Sequence, residues 1–269
     1  MLVPFVMLRA NYHEHDRSGN FVAWDMSYNM LQSCEPDGII FTNGDNDTFP
    51  LWYLQEVEKI RTDVRVVNLS LLNTPWYIEQ LKNQEPKLKI KIKDKLIDQV
   101  NYLTATKHVL SRYSDIWETL RNNLNQYTIE NTGQPYSIMK FGMPIDWGPL
   151  DMSLETDANE LKFNFTISPT LSGDSGFYLK VQDFMILELI KRNFDSRPIY
   201  FAVTVSPDNR VGLEKYLQME GQVFKVTEKE NLSYKSSDPS QHNAIKINFD
   251  KMLQNITMAG GGMYSLATR

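Results

Sequence analysis

Cysteine is nearly missing from this chain of 269 residues: Cys34 stands alone, which excludes an internal disulfide framework and any zinc site built from several cysteines. It does not fix the compartment, since many periplasmic proteins also lack disulfides. Histidine is sparse too. His13 and His15 alternate within His13-Glu14-His15-Asp16-Arg17, but only His108 and His242 remain elsewhere, and a catalytic zinc needs about three protein ligands. Positive charge is not in excess. A net charge of −5 and a pI near 5.5 argue against a general nucleic-acid binder, which carries a basic footprint. The apolar start, Met1 to Leu8, falls far short of the roughly 20 residues that span a bilayer. It also lacks the basic lead and small-residue cleavage site of a signal peptide. Gly260-Gly261-Gly262 has no strand–helix junction around it and reads as part of a loose tail over 259–269, not as a phosphate loop.

What is present is ordinary globular material, 42% hydrophobic and 23% charged. The length suits one large α/β domain or two small ones. Residues 1–10 read either as a buried first strand or as the last turns of a transmembrane helix that begins outside the chain. Residues 11–258 read as a single α/β domain, with an irregular Pro- and Gly-containing connection around 131–151.

The most informative stretch runs from Gly38 to Pro50. Ile39, Ile40 and Phe41 form a continuous apolar run that fits a strand buried on both faces. Thr48 is a helix-cap residue, Pro50 suits a first turn, and Tyr53, Leu54, Val57 and Ile60 follow at helical spacing. A second apolar strand, Val64 to Leu69, completes a strand–helix–strand unit. Ile199–Val205, Leu213–Met219 and Val223–Val226 read as a second such unit, with Gly221 as the stop of its helix. Further helices are expected over Asn20–Cys34, from Asn73-Thr74-Pro75 to about Lys82, over Val109–Leu124 and over Val181–Arg192. Leu161 to Ile167 alternates as a half-buried strand. Lys87, Lys89, Lys91 and Lys93 alternate with Leu88, Ile90 and Ile92, as in a lysine-protected edge strand or a face for anionic lipid. Together these elements predict a layered, mostly parallel, Rossmann-like sheet with helices on both faces.

Four constellations bear on chemistry. Asp45-Asn46-Asp47 follows an apolar strand at its carboxyl end, where open α/β sheets place ligands. Two aspartates at this spacing resemble the metal signature of nucleotide-sugar glycosyltransferases; a calcium loop fails, because Thr48 and Leu54 stand where glycine and glutamate are needed. The competing reading has Asp47 or Thr48 capping the helix and Asp45 solvated. The His13–Arg17 run, with His15, Asp16 and Arg17, suits hydrogen bonding ahead of a helix better than metal binding. Gly173-Asp174-Ser175-Gly176 matches a serine-protease motif but lacks its neighbours and reads as a turn. Asp208 and Arg210, after the Ile199–Val205 strand, would open on the same sheet edge as Asp45, Asp47, Asn73 and Trp76, giving a carbohydrate or phosphate pocket; a polar turn with a solvated arginine is the alternative. No cofactor and no metal are expected, and no catalytic residue is assigned.

Asn11 to Leu81, above all His15–Gly19, Asn43–Tyr53 and Asp63–Tyr77, closely resembles a bacterial family of multi-spanning membrane proteins. That family is related to the eukaryotic transmembrane O-mannosyltransferase of plexin-type receptors. Residues Asp183 to Met219 resemble it as well, and 87–174 only loosely. The resemblance implies a GT-C bundle of membrane helices ahead of this chain, with the chain as its soluble domain at the periplasmic face of the inner membrane. It also implies an acceptor protein and a lipid-linked sugar donor as partners beside the bundle. It places the GT-C catalytic acid in an early loop outside the chain. The competing functions are a self-contained metal-dependent nucleotide-sugar glycosyltransferase and a non-catalytic interaction domain.

Overall fold

The computed structural model describes residues 2–16, 18–92, 94–97, 150–168, 171–173, 176–178, 180–230, 246–250 and 253. The expected Val109–Leu124 helix, nearly all of the 131–151 connection, the tail, His108 and His242 lie outside these residues.

Leu2–His15 form a helix, α1, not a strand. Val3, Phe5, Val6, Met7 and Leu8 on it are 58 to 71% exposed. Among the described residues no helix is long and apolar enough to cross a membrane. Helix α2, Val22–Ser33, leads into strand β1, Ile39–Thr42, all four of whose residues are buried. Helix α3, Asp45–Glu56, and strand β2, Arg65–Asn68, follow. A short 3-10 turn, Leu71–Asn73, opens onto helix α4, Pro75–Asn83, with Pro75 at its first position, where its missing N–H costs nothing. Asp94–Ile97 form one turn, α5. Beyond it come strands β3, Leu150–Glu155; β4, Lys162–Ile167; β5, Leu171–Gly173; and β6, Gly176–Tyr178. Helix α6, Val181–Asn193, precedes strand β7, Ile199–Ala202. Strands β8, Leu217–Glu220, β9, Val223–Val226, and β10, Lys246–Ile247, complete the described elements.

The main sheet has the order β10-β8-β9-β7-β1-β2. Strand β1 pairs parallel with β2 on one side, Ile39 opposite Arg65, and parallel with β7 on the other, Ile39 opposite Ile199. Beyond β7 the sheet changes character. Strand β9 runs antiparallel to β7 and to β8, and only the two residues of β10 restore a parallel pair. The sheet is therefore mixed, and with the antiparallel hairpins β3–β4 and β5–β6 beside it the mostly parallel Rossmann-like expectation fails. The cause is local. Residues Leu213–Met219 do not form a helix: Glu214–Tyr216 make a 3-10 turn and Leu217 starts a strand. Gly221, at φ 67°, is no helix stop; with Gln222 it makes the two-residue hairpin loop that sets Glu220 opposite Val223.

The core is one apolar cluster in which Phe41 of β1 lies 5.0 Å from Phe201 of β7. Helix α6 is buried on nearly every side. Against it runs the segment expected to be a lysine edge strand. Leu88, Ile90 and Ile92 are buried and Lys87, Lys89 and Lys91 exposed, so the alternation is real, but the segment joins no sheet. Its backbone is satisfied by α6 side chains instead. Lys89 N donates to Asn193 Oδ1 at 2.9 Å, Asn193 Nδ2 donates back to Lys89 O at 3.0 Å, and Lys91 N donates to Glu188 Oε1 at 2.9 Å. Lys93 lies outside the described residues. The β3–β4 hairpin buries Phe163 edge-on against Phe194 and Tyr216, at 4.9 and 5.0 Å. Its strand β4 is held tightly at Gly212, where φ is 79° and a Cβ would fall 2.0 Å from Thr166 O.

Candidate functional site

The carboxyl ends of β1, β2 and β7 meet at one rim of the sheet, and a network of buried polar side chains ties them together. Thr48 is not a cap. Helix α3 starts three residues earlier, with Gly44 as its N-cap at φ 79° and ψ −175°, a conformation essentially restricted to glycine. Thr48 Oγ1 donates to Gly44 O at 2.7 Å and lies 2.7 Å from Thr42 Oγ1, while Asn68 Nδ2 donates to it at 2.9 Å. One donor and two acceptor positions saturate that hydroxyl. Asn68 Oδ1 accepts from Leu71 N at 3.0 Å, which locks the turn after β2. Asn73 continues the chain of bonds. Its Nδ2 donates to Gln182 Oε1 at 2.9 Å, its Oδ1 accepts from Gln182 N at 3.0 Å, and Gln182 Nε2 donates to Asn209 Oδ1 at 3.1 Å.

The residues expected to form a pocket divide sharply at this rim. Asn73 is buried and fully engaged, so it holds the first turn of α6 to the end of β2. Asp45 and Asn46 are exposed and Asp47 half-buried on the first turn of α3, where backbone N–H groups and the helix dipole favour negative charge. Among the described residues no hydrogen bond or ion pair occupies either carboxylate, and no three His, Cys, Asp or Glu side chains are grouped to hold a metal ion. Asp208 is exposed in the 3-10 turn Pro207–Asn209 at the same rim. Arg210 is not solvated. It is buried, its Nε donates to Val205 O at 3.0 Å, and its guanidinium stacks 4.4 Å from the Phe224 ring centre. Burial pushes its pKa down from the usual arginine value.

His15 and Asp16 lie elsewhere, exposed at the end of α1, and Arg17 lies outside the described residues. Asp16 Oδ1 accepts from Ser18 N at 2.9 Å, and the Ser18 hydrogen bonds hold its carboxyl below the ordinary value. Asp174 and Ser175 also lie outside the described residues; the flanking Gly173 and Gly176 pair across a hairpin. Cys34 is sealed in the core, its thiol pushed up to about 12 by burial, so it is no nucleophile.

Trp76 belongs to a different feature. The sheet ends at β2, and a groove of about 760 Å³ runs along that edge between α3 and α4. Trp52 and Trp76 line it together with Gln55, Glu56, Arg65 and Gln80. Trp76 is 55% exposed and packs edge-on against Tyr77 at 5.5 Å; Trp52 stacks on Phe49 at 5.6 Å and lies 6.4 Å from Tyr77. Tyr77 Oη, its pKa pushed up to about 12 by burial, bonds the outward backbone of β2 at Asn68 N and Val66 O. Trp52 was not singled out by the sequence, although the Phe49/Trp52 spacing carries the signal once the helix is started at Asp45.

Comparison with known proteins gives one family. The model described as TMEM260-associated domain 2 matches residues 23–251, which include the acidic rim, the groove and the whole main sheet. No curated protein and no solved structure matches the chain.

Proposed function

From the premise that this chain belongs to the TMEM260-associated domain 2 family, and so is related to TMEM260, a protein O-mannosyltransferase of plexin-type receptors, we propose that it is the accessory substrate-binding domain of a membrane glycosyltransferase. In this reading a GT-C bundle of membrane helices supplies the catalytic carboxylate and the lipid-linked donor. The present domain sits at the periplasmic face of a bacterial inner membrane and presents the acceptor protein. The observation that carries it is the acidic turn of α3. Asp45 and Asp47 project from a rim whose buried side chains are engaged, Thr42 and Asn68 with Thr48 and Asn73 with Gln182. The rim is thus rigid and its carboxylates uncommitted among the described residues, which suits hydrogen bonding to an acceptor held in a fixed position.

The test uses the full-length membrane protein. Asp45→Asn and Asp47→Asn should each lower acceptor glycosylation by about tenfold, as loss of a positioning contact does, with protein abundance unchanged. Wild-type glycosylation by both variants would reduce the turn to a helix start. Sugar transfer by the isolated 269-residue chain would overturn the accessory role.

A further inference from the structure

We propose that the groove along β2 is a binding subsite for a neutral oligosaccharide, separate from the acidic turn. Its walls are two indoles. Trp76 leaves 55% of its surface in solvent, and Trp52 faces the same groove. Both lean on Tyr77, and Trp52 is backed by Phe49, so neither ring must be ordered at the moment of binding. Large rings held flat beside water offer apolar platforms with a polar margin.

Three observations select the ligand. A strand-forming peptide is disfavoured because most of the edge is already taken. Val64 O accepts from Gln55 Nε2 at 2.7 Å, and Tyr77 Oη takes Val66 O and Asn68 N. Strand addition needs just such alternating groups free. A phosphate ligand is not favoured, because the charges lining the groove cancel: Glu56 and Glu85 against Lys59 and Arg65. Arg65 is moreover turned to Glu85 O at 3.1 Å and to Gln80 O at 3.4 Å, and is not offered as a fork to an anion. What remains uncommitted among the described residues is the buried Arg65 Nε, a single donor, together with the neutral Gln80 side-chain amide and Thr62 hydroxyl, beside the exposed Glu56–Lys59 pair at 4.0 Å. Aromatic faces, mixed hydrogen-bonding groups, no net charge and a volume of about 760 Å³ fit a chain of sugars, whose rings carry apolar C–H faces and hydroxyl rims.

The test is titration of the full 269-residue chain with neutral trisaccharides (maltotriose, cellotriose, mannotriose and chitotriose), followed by calorimetry and tryptophan emission. At least one should bind with a dissociation constant of about 1 mM or tighter and shift the emission. Trp76→Ala should weaken that binding by about tenfold, one stacking contact's share, while Trp76→Phe restores most of it and Asp45→Asn leaves it unchanged. Trp76 is exposed, so the thermal midpoint of the alanine variant should stay close to wild type. No response to any of the four sugars at about 10 mM, or binding that survives Trp76→Ala, would overturn the groove as a sugar site. Binding lost in Asp45→Asn and kept in Trp76→Ala would move the sugar to the acidic turn and overturn it as well. The glycosylation assay on Asp45→Asn reads the acceptor role independently, so the two readings can fail separately.

Discussion

Tyr77 Oη lies 2.9 Å from the backbone nitrogen of Asn68 and thereby closes the edge of the main sheet with a side chain in place of a strand. The same oxygen lies 3.3 Å from Val66 O, so one hydroxyl accepts from one edge group and donates to the next. Exposed strand edges invite pairing with other chains, and here the groove floor is sealed against it.

Removing that oxygen tests the seal. Tyr77→Phe keeps the ring and leaves a buried N–H and C=O without their partner, which should cost about 1–3 kcal/mol of unfolding free energy. Urea denaturation measures the loss, and thioflavin binding on prolonged incubation should rise. An unchanged midpoint would show that water replaces the hydroxyl.

Asp63 predicts an acid-sensitive contribution. The side-chain bonds from Arg61, both at 2.9 Å, hold its carboxyl below the ordinary value of 3.8, and Arg61 also donates to Leu31 O, Cys34 O and Glu35 O at the end of α2. Because the folded pKa is depressed, the stabilisation is complete above the unfolded value and vanishes as pH falls through the folded one. Asp63→Asn should therefore destabilise by about 1–2 kcal/mol at pH 7, and its thermal unfolding curve should converge with wild type as pH falls through the depressed folded pKa. A pH-independent difference would contradict the pairing.

Gly212→Ala should be among the most damaging single-methyl changes in the molecule. The added carbon would sit 2.0 Å from Thr166 O at a backbone φ of 79°, so the turn or the β3–β4 hairpin must move. A loss of about 2–4 kcal/mol is expected in chemical denaturation. By contrast Gly44→Ala, with φ also 79° but no atom within 4 Å of the new carbon, should cost only the conformational strain, about 1–3 kcal/mol.

The sequence makes part of this fold readable and hides the rest for identifiable reasons. The runs Ile39–Phe41, Val64–Leu69 and Ile199–Val205 do become adjacent parallel strands, because continuous apolar runs between amphipathic helices leave few other arrangements; β2, however, is an edge and not a centre. The β8–β9 hairpin was invisible because Leu213, Tyr216 and Leu217 sit at i, i+3 and i+4, the helical spacing, while a four-residue strand is too short to show its own period. Lys87–Ile92 shows the reverse case: its alternation is genuine, yet its partner is a helix, and no periodicity encodes that. At the site, the acidic turn and Trp76 could be read from residue types. Arg210 could not, because a buried arginine bonded to Val205 O and stacked on Phe224 has the same letters around it as a solvated one.

The pairing of Ile39 with Ile199 has a consequence for how the chain acquires its shape. Strand β1 is made about 160 residues before one of its two neighbours, a separation that the Arg197-to-Asp37 contact also spans. Closing so long a loop costs entropy before any pairing rewards it. During synthesis β1 therefore waits with one side unpaired and its apolar residues unsatisfied, a state that needs protection from aggregation. Fragments that stop short of Ala202 would keep that open side, and fragments that stop between Ala202 and Val226 would leave β7 as a bare edge instead, so the domain should be expressible only when the β7–β9–β8 arm is included.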